Sequence, residues 1–329
     1  MYSSAEKWQE FYSRLEAKAR LFLDSTTGLI SREFSTVVPC SICGSTNYRP
    51  RAVKIGFTYV ICQQCGFVYI NPQPTSGAIH RIYNDEEVRR FFFRELLLPY
   101  VERDQKPEFE TRLHILKEMI RSPGPRLLDI GCAAGLFLQL ANSNGFQVEG
   151  LELNKQYVDY IRANRPIRVH QKPLEEMKFL ESSFDVVTMW DVLEHVPDPR
   201  KTVGEVHRIV AKDGIFALTT INHDCINEHL LKDRWRYYMP PDHLCSFTPD
   251  LLRTLLANVG FEIVKIQHQY MFEVLAEQYF KFLTLPGTGY GNKLKKVVYV
   301  LLNKLSQAVF NTLKSGDIIT VYAKKYECH

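Results

Sequence analysis

The chain of 329 residues has no block of five or six like charges, and its 41 basic and 37 acidic residues leave a formal net charge of only +4. That balance lacks the basic excess of many RNA-modifying proteins, so nucleic acid is not the expected partner. No run approaches the 18 apolar residues a membrane-spanning helix needs; the most apolar stretch, residues 297–302, is flanked by lysines. The N-terminus has no charged segment followed by an apolar one, which argues against a secretory signal and leads to the expectation of a cytoplasmic protein. Internal repeats and low-complexity tracts are missing as well. In a reducing compartment the eight cysteines are not a disulfide framework. What is present is 45% apolar residues, enough for one main domain with a large core and something smaller beside it.

Residues 5–23 place Trp8, Phe11, Tyr12, Leu15, Ala19, Phe22 and Leu23 near helical spacing, which predicts an amphipathic leader helix within residues 1–34. Residues 35–75 change to short extended pieces with Gly and Pro punctuation around two cysteine pairs. Residues 76–122 read as helices, with Phe109, Leu113, Leu116 and Ile120 on one face and Ser122-Pro123-Gly124-Pro125 as a stop. The main domain then spans 123–329. Strand candidates at 126–131, 147–152, 167–170, 184–190, 214–220, 262–268 and 317–324 alternate with helical stretches, the pattern of βαβ crossovers and a mostly parallel sheet. Residues 270–314 are too long for a simple connection and carry a helical pattern, giving an insert before the last strand suited to a lid or a homodimer surface.

Arg126-Leu127-Leu128-Asp129-Ile130-Gly131 is an apolar strand that breaks at glycine, with a helix from about Leu136. Glycine permits a sharp turn and close approach to a ligand, and the free N–H groups at a helix start favour polar or anionic groups. A dinucleotide fingerprint would need glycine where Ala133 and Leu136 stand, which weakens a nicotinamide or flavin reading. A second strand ends at Glu152, where a carboxylate can accept both hydroxyls of an adenosine ribose.

Cys40-x-x-Cys43 and Cys62-x-x-Cys65, 18 residues apart, have the spacing of two knuckles that close a tetrahedral thiolate cage around zinc. Four thiolates leave no open coordination position, so the expected role is structural, with substrate recognition as the alternative.

The segments Leu128 to Gly135, Gly150-Leu151-Glu152 and Phe184 to Val196 resemble the successive motifs of class I S-adenosylmethionine-dependent methyltransferases. The resemblance covers roughly residues 107–325 and, in the ribbon-bearing, methyltransferase-23-like form, most of the rest. It implies an α/β fold: a Rossmann-like, seven-stranded, mostly parallel sheet with helices on both faces, a small N-terminal zinc module and the helical insert. It further implies S-adenosylmethionine as cofactor, with Asp129, Gly131, Ala133, Gly135, Glu152, Leu153, Leu174, Met189, Trp190 and Asp191 around it. Where the family often has an aspartate for the adenine amine, this chain reads Gln171-Lys172-Pro173-Leu174. The run Cys65 to Pro74 resembles the ribbon of methyltransferases that tailor sugars, glycans and secondary metabolites. The implied acceptor is a hydroxyl, amine or carbon of a small-molecule or lipid-linked sugar or glycan precursor.

Glu194 and His195 follow the fourth strand at the ligand edge of such sheets, where they serve as candidate catalytic groups or simply cap and pack the turn before Pro197. Asp191, Glu194 and His195 also sit at i, i+3 and i+4, a spacing that could hold a divalent ion. His243, in a stretch resembling the family's His-Leu-x-x-Phe-Thr, is the preferred base; the alternative is a loop histidine bonding backbone ahead of a Thr248 helix cap. Asn222, His223, Arg234, Trp235, Tyr237 and Tyr238 are expected to line the acceptor pocket. The Lys-flanked helix 293–304 would suit peripheral membrane contact. Two further readings are an RNA methyltransferase, marked by a basic groove beside Cys40 to Cys65, and a non-catalytic binding protein that retains the fold.

Overall fold

The computed structural model describes residues 2–101, 105–270 and 315–326, and single positions at 301, 305, 309 and 312. The insert at 270–314 and the 293–304 helix therefore lie outside the described residues beyond those few positions. Among the described residues, no helix is long and apolar enough to cross a membrane.

The N-terminal half of the sheet inventory is a ribbon. Strands β1 (Ser35–Thr36), β2 (Tyr48–Lys54), β3 (Phe57–Cys62), β4 (Val68–Ile70) and β5 (Gln73–Pro74) form it, with β1 paired to β5 and β2, β3 and β4 in an antiparallel meander. The central sheet holds β6 (Arg126–Ile130), β7 (Gln147–Leu151), β8 (Arg168–His170), β9 (Phe184–Trp190), β10 (Val210–Ile221), β12 (Phe261–Gln269) and β13 (Ile318–Lys325). The short β11 (Cys245–Ser246) belongs to the ribbon instead: it pairs antiparallel with β4, so the ribbon sheet runs β11-β4-β3-β2.

The central order is β12-β13-β10-β9-β6-β7-β8, with β13 antiparallel to both neighbours and the remaining pairings parallel. This is the expected α/β architecture. Near-continuous apolar runs such as Phe184–Trp190 suit strands covered on both faces. One face, through Leu128, Val187, Met189, Phe216, Leu218 and Val321, packs on the helices Pro199–Ile209 and Pro249–Asn258. The other, through Leu127, Val186, Trp190, Ala217 and Tyr322, packs on Lys106–Met119, Leu136–Ser143 and Lys155–Asn164. Side-chain caps start several of these helices: Asn154 accepts from Gln156 N–H, Asp198 from Lys201 N–H and Thr248 from Leu251 N–H.

Two boundaries differ from expectation. Strand β10 begins at Val210, four residues early, because Val210 still pairs with Phe184 across a register break before Ile215. The leader helix runs Tyr2–Ala19 and tightens into a single narrow turn at Arg20–Phe22, burying Phe11, Leu15, Ala19 and Phe22.

Because β6 has β7 on one side and β9 on the other, the chain order reverses between β6 and β9. The crevice outside the carboxyl ends of those strands is where an open α/β sheet binds its ligand.

Candidate active site

Strand β6 delivers Asp129 to that crevice, and Gly131 to Gly135 wrap around it. Gly131 has φ +75° and a Cβ there would run into the Val192 side chain, so this turn requires glycine. Ala133 also adopts a left-handed backbone, φ +48°, and Gly135, φ +73°, opens the helix Leu136–Ser143. The turn is tied to β7: Gly131 and Cys132 donate their N–H groups to the Leu151 carbonyl at 2.8 and 3.0 Å.

Glu152 lies at the tip of β7, as the ribose reading needs, and its carboxylate is already oriented. Ala133 N–H donates to Oε2 at 3.0 Å and Asn154 N–H to Oε1 at 2.8 Å. Burial outweighs these amides and pushes its pKa up to about 7. Asp129 accepts the Thr188 hydroxyl at 2.6 Å, and burial raises it to about 7 against the opposing pull of that hydroxyl and of Arg112.

A carboxyl whose folded pKa is raised binds its proton more tightly folded than unfolded. Its contribution to stability is fully present below about pH 4 and lost as pH rises through about 7. The ligand-free protein is therefore expected to be less stable at pH 8 than at pH 5, and Asp129→Asn to flatten that fall. The scale is about 1.4 kcal/mol per pKa unit. Urea unfolding at the two pH values checks it; parallel profiles for the two proteins would refute the assignment.

Of the stretch Met189-Trp190-Asp191, the side chains part company. Met189 is enclosed in the core on the far face and offers only backbone, while Asp191 stands exposed at the mouth with φ +56°. Leu174 is buried in the same core as Met189, and Leu153 is half exposed. Trp190, 7% exposed, faces Arg112, 4% exposed, whose guanidinium carbon lies 4.5 Å from the indole centre. Arg112 Nη2 donates to Glu108 at 2.6 Å, but its Nη1 and Trp190 Nε1 have no hydrogen-bond partner. Two buried orphan donors beside Asp129 are costly unless a ligand completes them. The sequence pattern gave no sign of Arg112.

Across the crevice, Glu194 and His195 lie in a short tight turn, Leu193–His195. Glu194 is buried, accepts the Thr220 hydroxyl at 2.9 Å, and is raised to about 8, first by burial and then by Asp191. His195 Nδ1 and the Asp242 carbonyl are 2.7 Å apart; His243 Nδ1 and the Tyr237 carbonyl are 2.9 Å apart. A carbonyl only accepts, so both rings carry a proton on Nδ1. The two rings meet edge to face at 4.8 Å. Burial, with His195 adding to it, drives His243 down to about 3, so it is neutral at physiological pH. Asp242 is buried too, but Arg89 donates to its Oδ1 at 2.6 Å and holds it below the usual carboxylate range. The structure thus brings Glu194, His195 and His243 together, within 4.8 Å of one another, with Asp191 outside the group.

The expected acceptor-pocket residues are mostly core. Asn222 donates to the Gly316 carbonyl, Trp235 Nε1 to Asp317, and Tyr238 to Glu228, while His223 pairs with Ser246. These groups are buried and satisfied inside the protein; of the six, Tyr237 stacks parallel to His243 beside the crevice and Arg234 is exposed. Over the top, Phe93 stacks on Tyr157 at 4.4 Å and packs with Ala133 and Ala134, so the segment 86–101 covers the turn.

The four ribbon cysteines converge. Cys40 and Cys65 sulfurs are 3.5 Å apart, as are those of Cys43 and Cys62, and all four lie within 4.8 Å. That is far too long for disulfides and near the edge of about 3.8 Å of a tetrahedron with metal–sulfur bonds of about 2.3 Å. Backbone amides of Ile42 and Cys43 point at Cys40, and those of Gln64 and Cys65 at Cys62. The ribbon's Arg51 and Lys54 turn inward onto Glu228 and the Trp235 carbonyl, where they cannot line an outward basic groove.

Residues 88–266, more than half of the chain, match the family model of a methyltransferase domain. The ubiquinone biosynthesis O-methyltransferase of Hahella chejuensis (strain KCTC 2396) is 27% identical over 156 residues, which are 41% of this chain and 66% of that protein. Its counterpart in Pseudomonas aeruginosa (strain LESB58) is 30% identical over 134 residues, 37% of this chain and 58% of that one. The chain thus spans less than two thirds of the length of these curated relatives. Among solved structures, a SAM-dependent methyltransferase from Archaeoglobus fulgidus aligns with TM-score 0.46 at 20% identity, covering 69% of this chain and 99% of that one. One from Mesorhizobium loti aligns with TM-score 0.45 at 18% identity, covering 64% and 96%.

Proposed function

Because this chain belongs to the methyltransferase-domain family, we propose that it transfers a methyl group from S-adenosylmethionine to a hydroxyl of a small metabolite, with zinc in its ribbon. The observation that carries the reading is the pairing of donors and acceptors around the β6 turn. Asp129 and Glu152 stand ready for the ammonium and the ribose hydroxyls, and the orphan donors of Arg112 and Trp190 for the carboxylate. When bound, S-adenosylmethionine supplies an electrophilic methyl on a sulfonium. Orientation of the acceptor against that methyl provides most of the acceleration, which is the task of the wall formed by His195, Asp242 and His243.

Calorimetric titration of the zinc-loaded protein with S-adenosylmethionine tests the donor. Binding is expected, and Arg112→Met is expected to weaken it about 10- to 100-fold, the worth of one charge-assisted hydrogen bond. No binding by the wild type would sink the reading.

For the acceptor, the ribbon run Cys65 to Pro74 supports a sugar or glycan precursor. The names of the ubiquinone biosynthesis O-methyltransferase relatives support transfer to an oxygen. A radiolabelled methyl-transfer assay with sugar nucleotides, lipid-linked glycans, catechols and RNA separates these classes. Four converging thiols with amides aimed at them suit zinc, whose binding would fix the ribbon without entering the chemistry.

A further inference from the structure

We propose that the four-cysteine ribbon is a positioning element for the acceptor side of the site, acting through Tyr59, which holds the peptide of His243. This rests on the reading of His243 as the acceptor base.

The ribbon's inward-facing groups on β2, β3 and β4 converge on one segment of the main domain, residues 228–247. Arg51 pairs with buried Glu228, and Lys54 donates to the Trp235 carbonyl at 2.9 Å. Strand β4 pairs with β11, Ile70 N–H donates to the Leu244 carbonyl at 2.9 Å, and Phe67 packs on Phe247. At the centre, the Tyr59 hydroxyl, on a side chain 1% exposed, donates to the His243 carbonyl at 2.8 Å.

The turn that carries His243 closes on itself: Asp242 and His243 N–H groups both donate to the Met239 carbonyl at 3.0 Å, and the His243 ring bonds the Tyr237 carbonyl. Tyr59 touches both ends of it. Its hydroxyl takes the carbonyl of His243, and its ring packs 4.5 Å from that of Tyr238. The His243 ring is fixed by the Tyr237 carbonyl, and the two ends of that turn, the Tyr238 ring and the His243 peptide, both rest on one ribbon side chain. Cys62, three residues along the same strand, ties that strand to the thiolate cluster. A ribbon that served only as ballast would not need a buried phenol on the backbone of this one residue.

The test uses the zinc-loaded chain of 329 residues with histidine labelled by ¹⁵N, without acceptor. The His243 ring signals are identified by their loss in His243→Gln. In the wild type they are expected to show one neutral form with the proton on Nδ1. Tyr59→Phe, which removes one oxygen, is expected to lose that single form, with signals averaged between the two tautomers or broadened. Tyr238→Phe is the control, because it removes an equally buried hydroxyl whose partner is Glu228. The proposal is overturned if Tyr59→Phe leaves the His243 pattern as in the wild type, or if both variants disturb it alike.

Should Tyr59→Phe fail to fold, 3-fluorotyrosine at position 59 keeps the shape and strengthens the donor. Movement of the His243 carbonyl ¹³C signal then supports the contact, and an unmoved signal overturns it. Failure of the functional reading is separate: it would show as absent S-adenosylmethionine binding or as methyl transfer unaffected by His243→Gln, whatever Tyr59 does.

Discussion

Removing by chelation the zinc proposed for the ribbon, or replacing Cys62 with serine, is expected to lower the melting transition of the whole chain on the order of 10 °C or more. A ribbon of this size buries too little by itself to fold without a staple, and a closed thiolate site can contribute about 10 kcal/mol of apparent folding energy. The loss should spread because the ribbon is not appended. Strand β11 of the main domain completes its sheet, and Cys40, Val60, Cys62, Phe67 and Tyr69 share one apolar core with Leu128, Val187, Phe216 and Phe247. Arg51 is the charged partner of Glu228, which is buried; loosening the ribbon would leave that carboxylate inside the protein without its cation. Scanning calorimetry of the loaded and chelated protein decides the matter. One transition that moves as a unit is the expected result. A main transition that stays in place while a small separate one disappears would mean that the ribbon and the main domain are energetically independent.

The centre of the sheet was legible because β6 and β9 are mostly apolar runs covered on both faces. The turn at Gly131 and the thiol pairs were legible for a local reason too: each is a few residues whose spacing carries its own chemistry. What escaped is what depends on partners far along the chain. Arg112 reads as one charged position on an amphipathic helix, and only the packing of Lys106–Met119 beside β9 makes it a buried cation over Trp190. Trp235 and Asn227 find their acceptor in Asp317, some 80 to 90 residues later, which turns an apparently pocket-lining aromatic run into core. The pairing of β4 with β11 joins segments more than 170 residues apart, and two-residue strands leave no periodicity to read.

His243→Gln is expected to slow methyl transfer by about 10²- to 10⁴-fold while leaving S-adenosylmethionine binding unchanged, since the proposed function puts His243 on the acceptor side and Asp129, Arg112 and Glu152 around the donor. Its Nδ1–H is committed to the Tyr237 carbonyl, so Nε2 is the atom that can take the acceptor proton. A pKa near 3 makes it a weak base, yet the acceptor needs no strong one: as its oxygen bonds to the incoming methyl, the hydroxyl proton becomes strongly acidic. The imidazolium so formed is stabilised by the Asp242 carboxylate, which Arg89 keeps ionised even though burial works against it. Because a base with so low a pKa stays unprotonated, His243 should contribute no loss of rate between pH 8 and pH 5. A histidine of ordinary pKa would give a fall centred near 6.5. His195→Gln is the comparison, because its ring meets that of His243 edge to face. The measurement is single-turnover transfer of labelled methyl across that pH range for the wild type and both variants. A wild-type rate that drops tenfold per pH unit below 6.5, and that His243→Gln abolishes, would show a solvated, ordinary histidine in place of the buried one described here.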